Sequence, residues 1–218
     1  MKSNETLQKE VQDAIKWEPL LNAAEIGVIA KDGIITLTGT VDSYIKKVEA
    51  ETAAKNVAGV KAVAENIKIH FENSFEKNDS EIAREILSAW KWNWNVPESK
   101  LKIKVESGWV TLEGDVEWNY EREAARKSVE KLTGVKGVSN NILIKSSYKD
   151  GIEEAAIEQA FRRSWSINDN ELKVYVNHNN VTLKGSVNSL YQKEEAARLA
   201  WNTPGVWSVD NELSVVNN

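Results

Sequence analysis

Residues 33–69 read GIITLTGTVDSYIKKVEAETAAKNVAGVKAVAENIKI, and the chain contains two further copies of this segment, which indicate its fold. Residues 108–144 read GWVTLEGDVEWNYEREAARKSVEKLTGVKGVSNNILI, and residues 179–215 read NNVTLKGSVNSLYQKEEAARLAWNTPGVWSVDNELSV. The three segments align along their whole length without a gap. Because such self-similarity is the sequence signature of a repeat architecture, the chain is interpreted as three tandem copies of one module.

Each copy predicts the order helix, strand, strand, helix, strand. Ahead of the repeated stretch, apolar residues recur every four positions, as on one face of a helix: Leu7, Val11 and Ile15, then Ile82, Ile86 and Trp90, then Ile157, Phe161 and Trp165. A strand with alternating apolar residues follows in each copy, at Ile26-Val28-Ala30, Leu101-Ile103-Val105 and Leu172-Val174-Val176. Short turns then lead into the second strands, at Asp32-Gly33, Ser107-Gly108 and Asn179-Asn180.

The second half of each copy closes the module. An Ala-rich helix separates the second strand from a third, and a strand–helix–strand connection of this kind is right-handed. We therefore predict an α+β fold of three αββαβ modules, each a three-stranded mixed sheet with two helices packed on one face. The predicted boundaries are 1–72 for module 1, 73–147 for module 2 and 148–218 for module 3.

Two sets of glycines recur at equivalent positions. The first set lies on the inward face of the second strand and comprises Gly39, Gly114 and Gly185. We interpret it as the place where the second helix approaches the sheet so closely that a Cβ would collide. The second set follows the second helix and is interpreted as its C-cap: Gly59, Gly134 and Gly205.

Composition excludes several classes of function. The net charge is −5 and no run of Lys or Arg exceeds two residues, so nucleic acid is not an expected partner. No apolar stretch approaches the length of a transmembrane segment, and the N-terminus lacks the apolar core of a secretory leader. As written, the sequence indicates a cytoplasmic protein; a leader removed from it would indicate the periplasm instead.

Catalytic and metal-binding patterns are missing from the sequence. The chain contains no cysteine, and its two histidines, His70 and His178, do not recur between the copies. No nucleophile elbow, phosphate-binding loop, zinc motif or dinucleotide fingerprint occurs. We therefore expect a protein that is not an enzyme and that has no cofactor, no catalytic residue and no metal site.

Nine tryptophans stand out in a chain of 218 residues. Trp90 and Trp165 lie on the apolar stripes of first helices, which indicates core positions. Trp92, Trp94 and Trp118 lie off those stripes, so they are the candidates for contact with a lipid surface or a protein partner. The same three positions would also suit packing between modules.

The pattern V-T-L-x-G-x-V, followed by a charged Ala-rich helix and G-V-x-x-V, resembles the BON domain. Module 2 shows it as Val110-Thr111-Leu112-Glu113-Gly114-Asp115-Val116, and the other copies show it from Ile35 and from Val181. The resemblance covers essentially the whole chain. It implies a non-catalytic αββαβ module of bacterial proteins that attaches to phospholipid surfaces in osmotic or envelope stress.

Two functions therefore stay open at this point. One is a binding protein that associates with phospholipid or membrane surfaces in a stress or transport-associated role. The other is a cytoplasmic stress protein that binds protein partners or a small cation such as potassium, a ligand that the resemblance suggests for one branch of the family. The oligomeric state does not follow from the sequence.

Overall fold

The protein is represented by a computed structural model, which describes residues 2–71, 77–145, 154–163 and 172–216. Module 1 has the predicted element order: α1 Asn4–Lys16, β1 Ile26–Lys31, β2 Ile34–Val41, α2 Tyr44–Asn56 and β3 Ala62–Ile69. Module 2 repeats it with α3 Asp79–Lys91, β4 Leu101–Glu106, β5 Trp109–Val116, α4 Asn119–Glu130 and β6 Gly137–Ile144. The α+β class and the repeated modules are thus confirmed.

Module 3 follows the same order with one interruption. Its elements are α5 Glu154–Arg162, β7 Leu172–Asn177, β8 Asn180–Val187, α6 Leu190–Trp201, β9 Ser208–Asn211 and β10 Ser214–Val215. The last strand is split into β9 and β10, and both parts pair with β8 in parallel. Trp165, which the sequence assigned to the core, lies outside the described residues.

Each sheet places the second strand of its module in the centre. In module 2, β5 pairs antiparallel with β4 and parallel with β6. The register joins Leu101 to Gly114 at one end of the sheet and Glu106 to Trp109 at the other. The start of β4 therefore lies beside the end of β5, and the hairpin turn lies at the opposite end.

One face of each sheet is buried against the helices. The core of module 2 is formed by the predicted helix stripe and the inward strand residues: Ile82, Ile86, Trp90, Val96, Leu101, Val110, Leu112, Val116, Ala125, Val129, Val135 and Ile142. Modules 1 and 3 bury equivalent residues, among them Leu7, Val11, Ile15, Ile157 and Phe161. Among the described residues, no helix is both long and apolar enough to span a membrane.

The first helix of modules 1 and 2 also fixes the β-hairpin. In module 2, the Asp79 carboxylate accepts hydrogen bonds from the backbone N–H groups of Ser107 and Gly108 at 2.8 and 2.9 Å. In module 1, the Asn4 side chain accepts from the N–H of Asp32 at 2.9 Å. The hairpin of module 3 turns one residue earlier than predicted, at residues 178–179, because β8 already begins at residue 180.

We expect Asp79→Ala to destabilise module 2 by about 1–3 kcal/mol. The substitution removes a charged acceptor and leaves two turn N–H groups without their protein partner. Urea unfolding followed by circular dichroism measures the change, with the exposed Asp115→Ala as the matched control. If the two variants unfolded at the same urea concentration, the carboxylate would have no role in holding the hairpin.

Glycine is required at the first set of positions because of the neighbouring backbone, and the predicted close approach of the second helix is not the reason. Gly39, Gly114 and Gly185 all have positive φ, at 129°, 135° and 128°. A Cβ on Gly39 would lie 2.0 Å from the carbonyl oxygen of Glu25. The colliding group is thus the backbone that leads into the neighbouring strand, and the predicted collision with the second helix is wrong.

The second set of glycines also needs a correction. Gly59, Gly134 and Gly205 have φ values of 94°, 92° and 88°, so each takes the left-handed conformation that favours glycine. However, α2, α4 and α6 end at Asn56, Glu130 and Trp201, three or four residues earlier. These glycines belong to the turn that follows the helix and leads into the last strand, and they are not the C-caps.

The chain divides into two compact units that do not follow the modules: Met1–Thr40, Val48–Lys68 and Tyr148–Asn218 in the first, and Val41–Lys47 and Ile69–Ser147 in the second. In the first unit, Lys55 Nζ lies 2.6 Å from a carboxylate oxygen of Glu194 and 2.9 Å from one of Glu51. Burial opposes the charge on Lys55, but the two carboxylates raise its pKa. In the second unit, Tyr44 packs against the core of module 2.

Candidate functional site

The three tryptophans at the end of α3 and in the connection that follows it divide sharply into core and surface. Trp90 is 1% exposed, and its indole N–H donates to Ser128 Oγ at 3.0 Å. Trp92 is 84% exposed and Trp94 is 90% exposed. Both follow α3 directly, in the connection that leads to β4. In the structure, the side chains of two of the three predicted contact residues are therefore exposed to solvent on one loop.

Trp118 occupies the N-cap of α4 and is only partly buried. An indole has a donor and no acceptor, so it cannot cap a helix as serine does in module 3, where Ser189 accepts from the N–H of Gln192 at 3.2 Å. Glu121 supplies the cap instead, because its carboxylate accepts from the N–H groups of Glu117 and Trp118, both at 3.0 Å.

The topology brings the three predicted residues to one end of module 2. Trp92 and Trp94 lie in the connection before β4, and Trp118 lies in the connection after β5. Because the start of β4 pairs with the end of β5, both connections emerge at the same end of the sheet. Trp109, which is half exposed, begins β5 and lies at the opposite end.

The structure adds residues that the tryptophan count did not reveal. Arg84, Leu87 and Lys91 all lie on the exposed face of α3, just before Trp92. Leu87 is 51% exposed. It lies three residues after Arg84 and four before Lys91, so the three side chains are neighbours on the helix surface. The sequence could have predicted this exposed group of residues, because it contains an Arg-x₂-Leu-x₃-Lys pattern on the side of the helix opposite the apolar stripe.

A shallow groove at the same end of module 2 carries charges of both signs. Its polar lining includes Lys100, Lys102, Lys145, Asp115 and Glu117. Lys145 pairs with Asp115 at 2.7 Å, and Lys100 lies 3.5 Å from Glu117. Three cations and two anions leave little net charge, so this groove does not form a strong binding site for an isolated anion.

The carboxyl group of module 2 with a perturbed pKa, that of Glu130, has a structural explanation. Glu130 is buried, and this burial raises its pKa, while the neighbouring Arg126 stabilises the charged form. Arg126 also binds Glu123 at 2.8 Å on the same helix. These residues form an ion-pair row along α4. Among the described residues, no group of three or more acidic or histidine side chains is arranged to hold a metal ion.

Comparison with known proteins gives a consistent result. The sequence model of the BON domain matches residues 3–70, 78–146 and 149–217. Osmotically-inducible protein Y of Escherichia coli is 27% identical over 142 residues, which cover 62% of this chain and 70% of that protein. Outer membrane lipoprotein DolP of Haemophilus influenzae is 28% identical over 138 residues, which cover 62% of this chain and 71% of that protein.

Among solved structures, CdsD, a structural protein of the type III secretion system of Chlamydia trachomatis, aligns with 96% of this chain and 92% of its own. The identity is 14% and the TM-score is 0.26, so this similarity is too low to assign a fold or a function.

Proposed function

Since this chain belongs to the BON domain family, with three tandem domains, we propose that it is a non-catalytic binding protein that associates with phospholipid surfaces through its second module. The observation that carries the proposal is the exposure of Trp92 and Trp94 on one loop. The names of the two relatives, an osmotically inducible protein and an outer membrane lipoprotein, support a role in osmotic or envelope stress.

The chemistry of the loop suits the headgroup layer of a bilayer. An indole has a large apolar ring and one N–H donor, so it is stable where hydrocarbon meets polar headgroups. The indole N–H groups of Trp92 and Trp94 have no acceptor in the part of the chain that the structure describes. Leu87 adds exposed apolar area on the last two turns of α3, and Lys91, directly before Trp92, places a cation where lipid phosphates would lie.

Charge contributes only a small part of the proposed binding. Each Lys or Arg close to an anionic surface contributes about 1 kcal/mol, and this term is screened by salt. Two exposed cations on α3 and a nearly balanced groove therefore predict a weak dependence on ionic strength. The tryptophans supply most of the expected affinity.

The test is co-sedimentation of the full chain with vesicles of phosphatidylethanolamine and phosphatidylglycerol. We expect Trp92→Ala/Trp94→Ala to weaken binding about 30- to 900-fold, since each indole loses apolar burial of about 1–2 kcal/mol. Trp109→Ala is the matched control, because this half-exposed tryptophan lies at the other end of the same sheet. Trp118→Ala tests the third predicted contact residue separately.

The possible outcomes separate the functions left open by the sequence. Wild-type protein that stays in the supernatant at every lipid concentration would overturn the lipid proposal and favour the alternative of a cytoplasmic protein that binds proteins or a small cation. Binding that survives the loss of both indoles would retain the lipid but exclude this loop. Fractionation of native cells into membrane and soluble parts gives an independent check.

A further inference from the structure

Module 1 presents a loop that is built like the tryptophan loop of module 2. Trp17 follows α1 as Trp92 follows α3, and both residues have right-handed helical backbone angles, with φ of −82° and −92°. Trp17 is 85% exposed, which nearly equals the 84% of Trp92. An exposed lysine precedes each of them, Lys16 in module 1 and Lys91 in module 2.

Each of the two loops has a second exposed apolar residue a few positions after the indole. Leu20 in module 1 is 55% exposed, and Trp94 in module 2 is 90% exposed. The buried neighbour in the loop of module 2 is Val96, which joins the core of that module. In module 1 the apolar residue at the equivalent position, Leu21, is only partly buried. Both loops thus turn two apolar side chains toward solvent.

The exposed indole of module 1 donates no hydrogen bond to any residue that the structure describes. The buried Trp90 and the half-exposed Trp109 both donate their N–H to a serine hydroxyl, Ser128 at 3.0 Å and Ser139 at 2.9 Å. In the described part of the protein, the N–H of Trp17 has no such acceptor. A large apolar ring that is exposed to solvent, with no hydrogen-bond partner among the described residues, is suited to a contact outside the chain.

The nature of the common partner follows from what the two loops share. They have Lys-Trp and one further apolar side chain in common, but the residues between differ in kind and number, as Glu18-Pro19 in one loop and Asn93 alone in the other. A protein interface needs a complementary surface around its anchors, which would constrain these residues. A bilayer needs only an amphipathic ring with a nearby cation, so the shared residues are those that a bilayer selects.

We infer that residues 17–20 form a second bilayer contact, in which Trp17 and Leu20 enter the headgroup layer and Lys16 lies among the phosphates. This inference rests on the proposed function of module 2 and extends it, because the chain then binds lipid through two modules. When two modules engage one surface, the second contact forms at a high effective concentration and raises the overall affinity.

The first test compares two double substitutions and their combination by vesicle co-sedimentation. We expect Trp17→Ala/Leu20→Ala to weaken binding about tenfold. Combined with Trp92→Ala/Trp94→Ala, the two losses should multiply, because distant sites contribute independently to the free energy. Ile29→Ala is the matched control, since Ile29 is an equally exposed apolar residue of module 1, 58% accessible, on the outer face of the sheet.

The second test places a probe directly in the loop. The chain has no cysteine, so Leu20→Cys can be labelled at a single position with an environment-sensitive fluorophore. Adding phosphatidylethanolamine and phosphatidylglycerol vesicles should shift its emission to shorter wavelength and increase it. The same label on Lys31→Cys, at the hairpin end of β1, should not respond.

The outcomes distinguish this inference from the proposal on which it rests. If wild-type protein does not sediment with vesicles, the lipid function and the second contact are both overturned. If binding requires Trp92 and Trp94, but Trp17→Ala/Leu20→Ala binds like the wild type and the label at position 20 is silent, only the second contact is overturned. If the label at position 20 responds to vesicles and the losses of affinity from the two double substitutions multiply, the lipid function and the second contact are both supported.

Discussion

Gly39→Ala is expected to lower the free energy of unfolding by about 2–6 kcal/mol. The residue has a φ of 129°, and an L-residue held in such a conformation costs about 1–3 kcal/mol. The new Cβ would also lie 2.0 Å from the carbonyl oxygen of Glu25, and overpacking of this kind costs about 1–3 kcal/mol more. The equivalent Gly114→Ala should behave alike, since its Cβ would lie 2.3 Å from the carbonyl oxygen of Lys100.

Gly27→Ala provides the matched control on the neighbouring strand. A Cβ at Gly27 would meet only the hydroxyl of Thr38, at 2.6 Å, and a side-chain hydroxyl can rotate away. We expect a change within about 1 kcal/mol, since the cost is limited to the shift of one rotamer. Urea unfolding gives the overall loss, and amide hydrogen exchange of residues 26–41 shows whether it is local. Equal stability of the two variants would contradict the backbone explanation of the glycine.

Trp90→Ala should destabilise module 2 by about 3–5 kcal/mol, whereas Trp92→Ala should change stability by less than about 0.5 kcal/mol. The two residues have the same side chain and are two positions apart. Trp90 lies in the core at 1% exposure, and Trp92 is 84% exposed. Deleting the first leaves a cavity, and deleting the second removes almost no buried area. Thermal and urea unfolding of the full chain measure both changes.

Trp90→Phe separates the packing of the ring from its hydrogen bond. It retains most of the apolar volume but removes the N–H that donates to Ser128 Oγ. We expect a loss between those of the other two variants, from the smaller ring and from one hydrogen bond of about 1 kcal/mol. If Trp92→Ala were as damaging as Trp90→Ala, the loop would be part of the core and its role as a contact surface would be lost.

Hydrophobic periodicity and the internal repeat were enough to predict the class of fold, the repeated module and its element order. A helix that covers a sheet must place apolar residues every three or four positions, and a strand with one buried face must alternate. Both periodicities stand in the chain in three copies, so the helix stripe Ile82, Ile86 and Trp90 could be assigned to the core before any coordinates. The same argument separated Trp92 and Trp94 from Trp90.

The group that each residue contacts depends instead on how the elements pair in three dimensions. The sequence showed that Gly39 and Gly114 are inward glycines, but the colliding carbonyl belongs to the residue just before the paired strand, and strand register sets that contact. In the same way, the pairing of Leu101 with Gly114 brings the connection of Trp118 to the end of the sheet that carries Trp92 and Trp94. Periodicity assigns a residue to a face, whereas contacts between positions distant in sequence depend on how the backbones are paired in space.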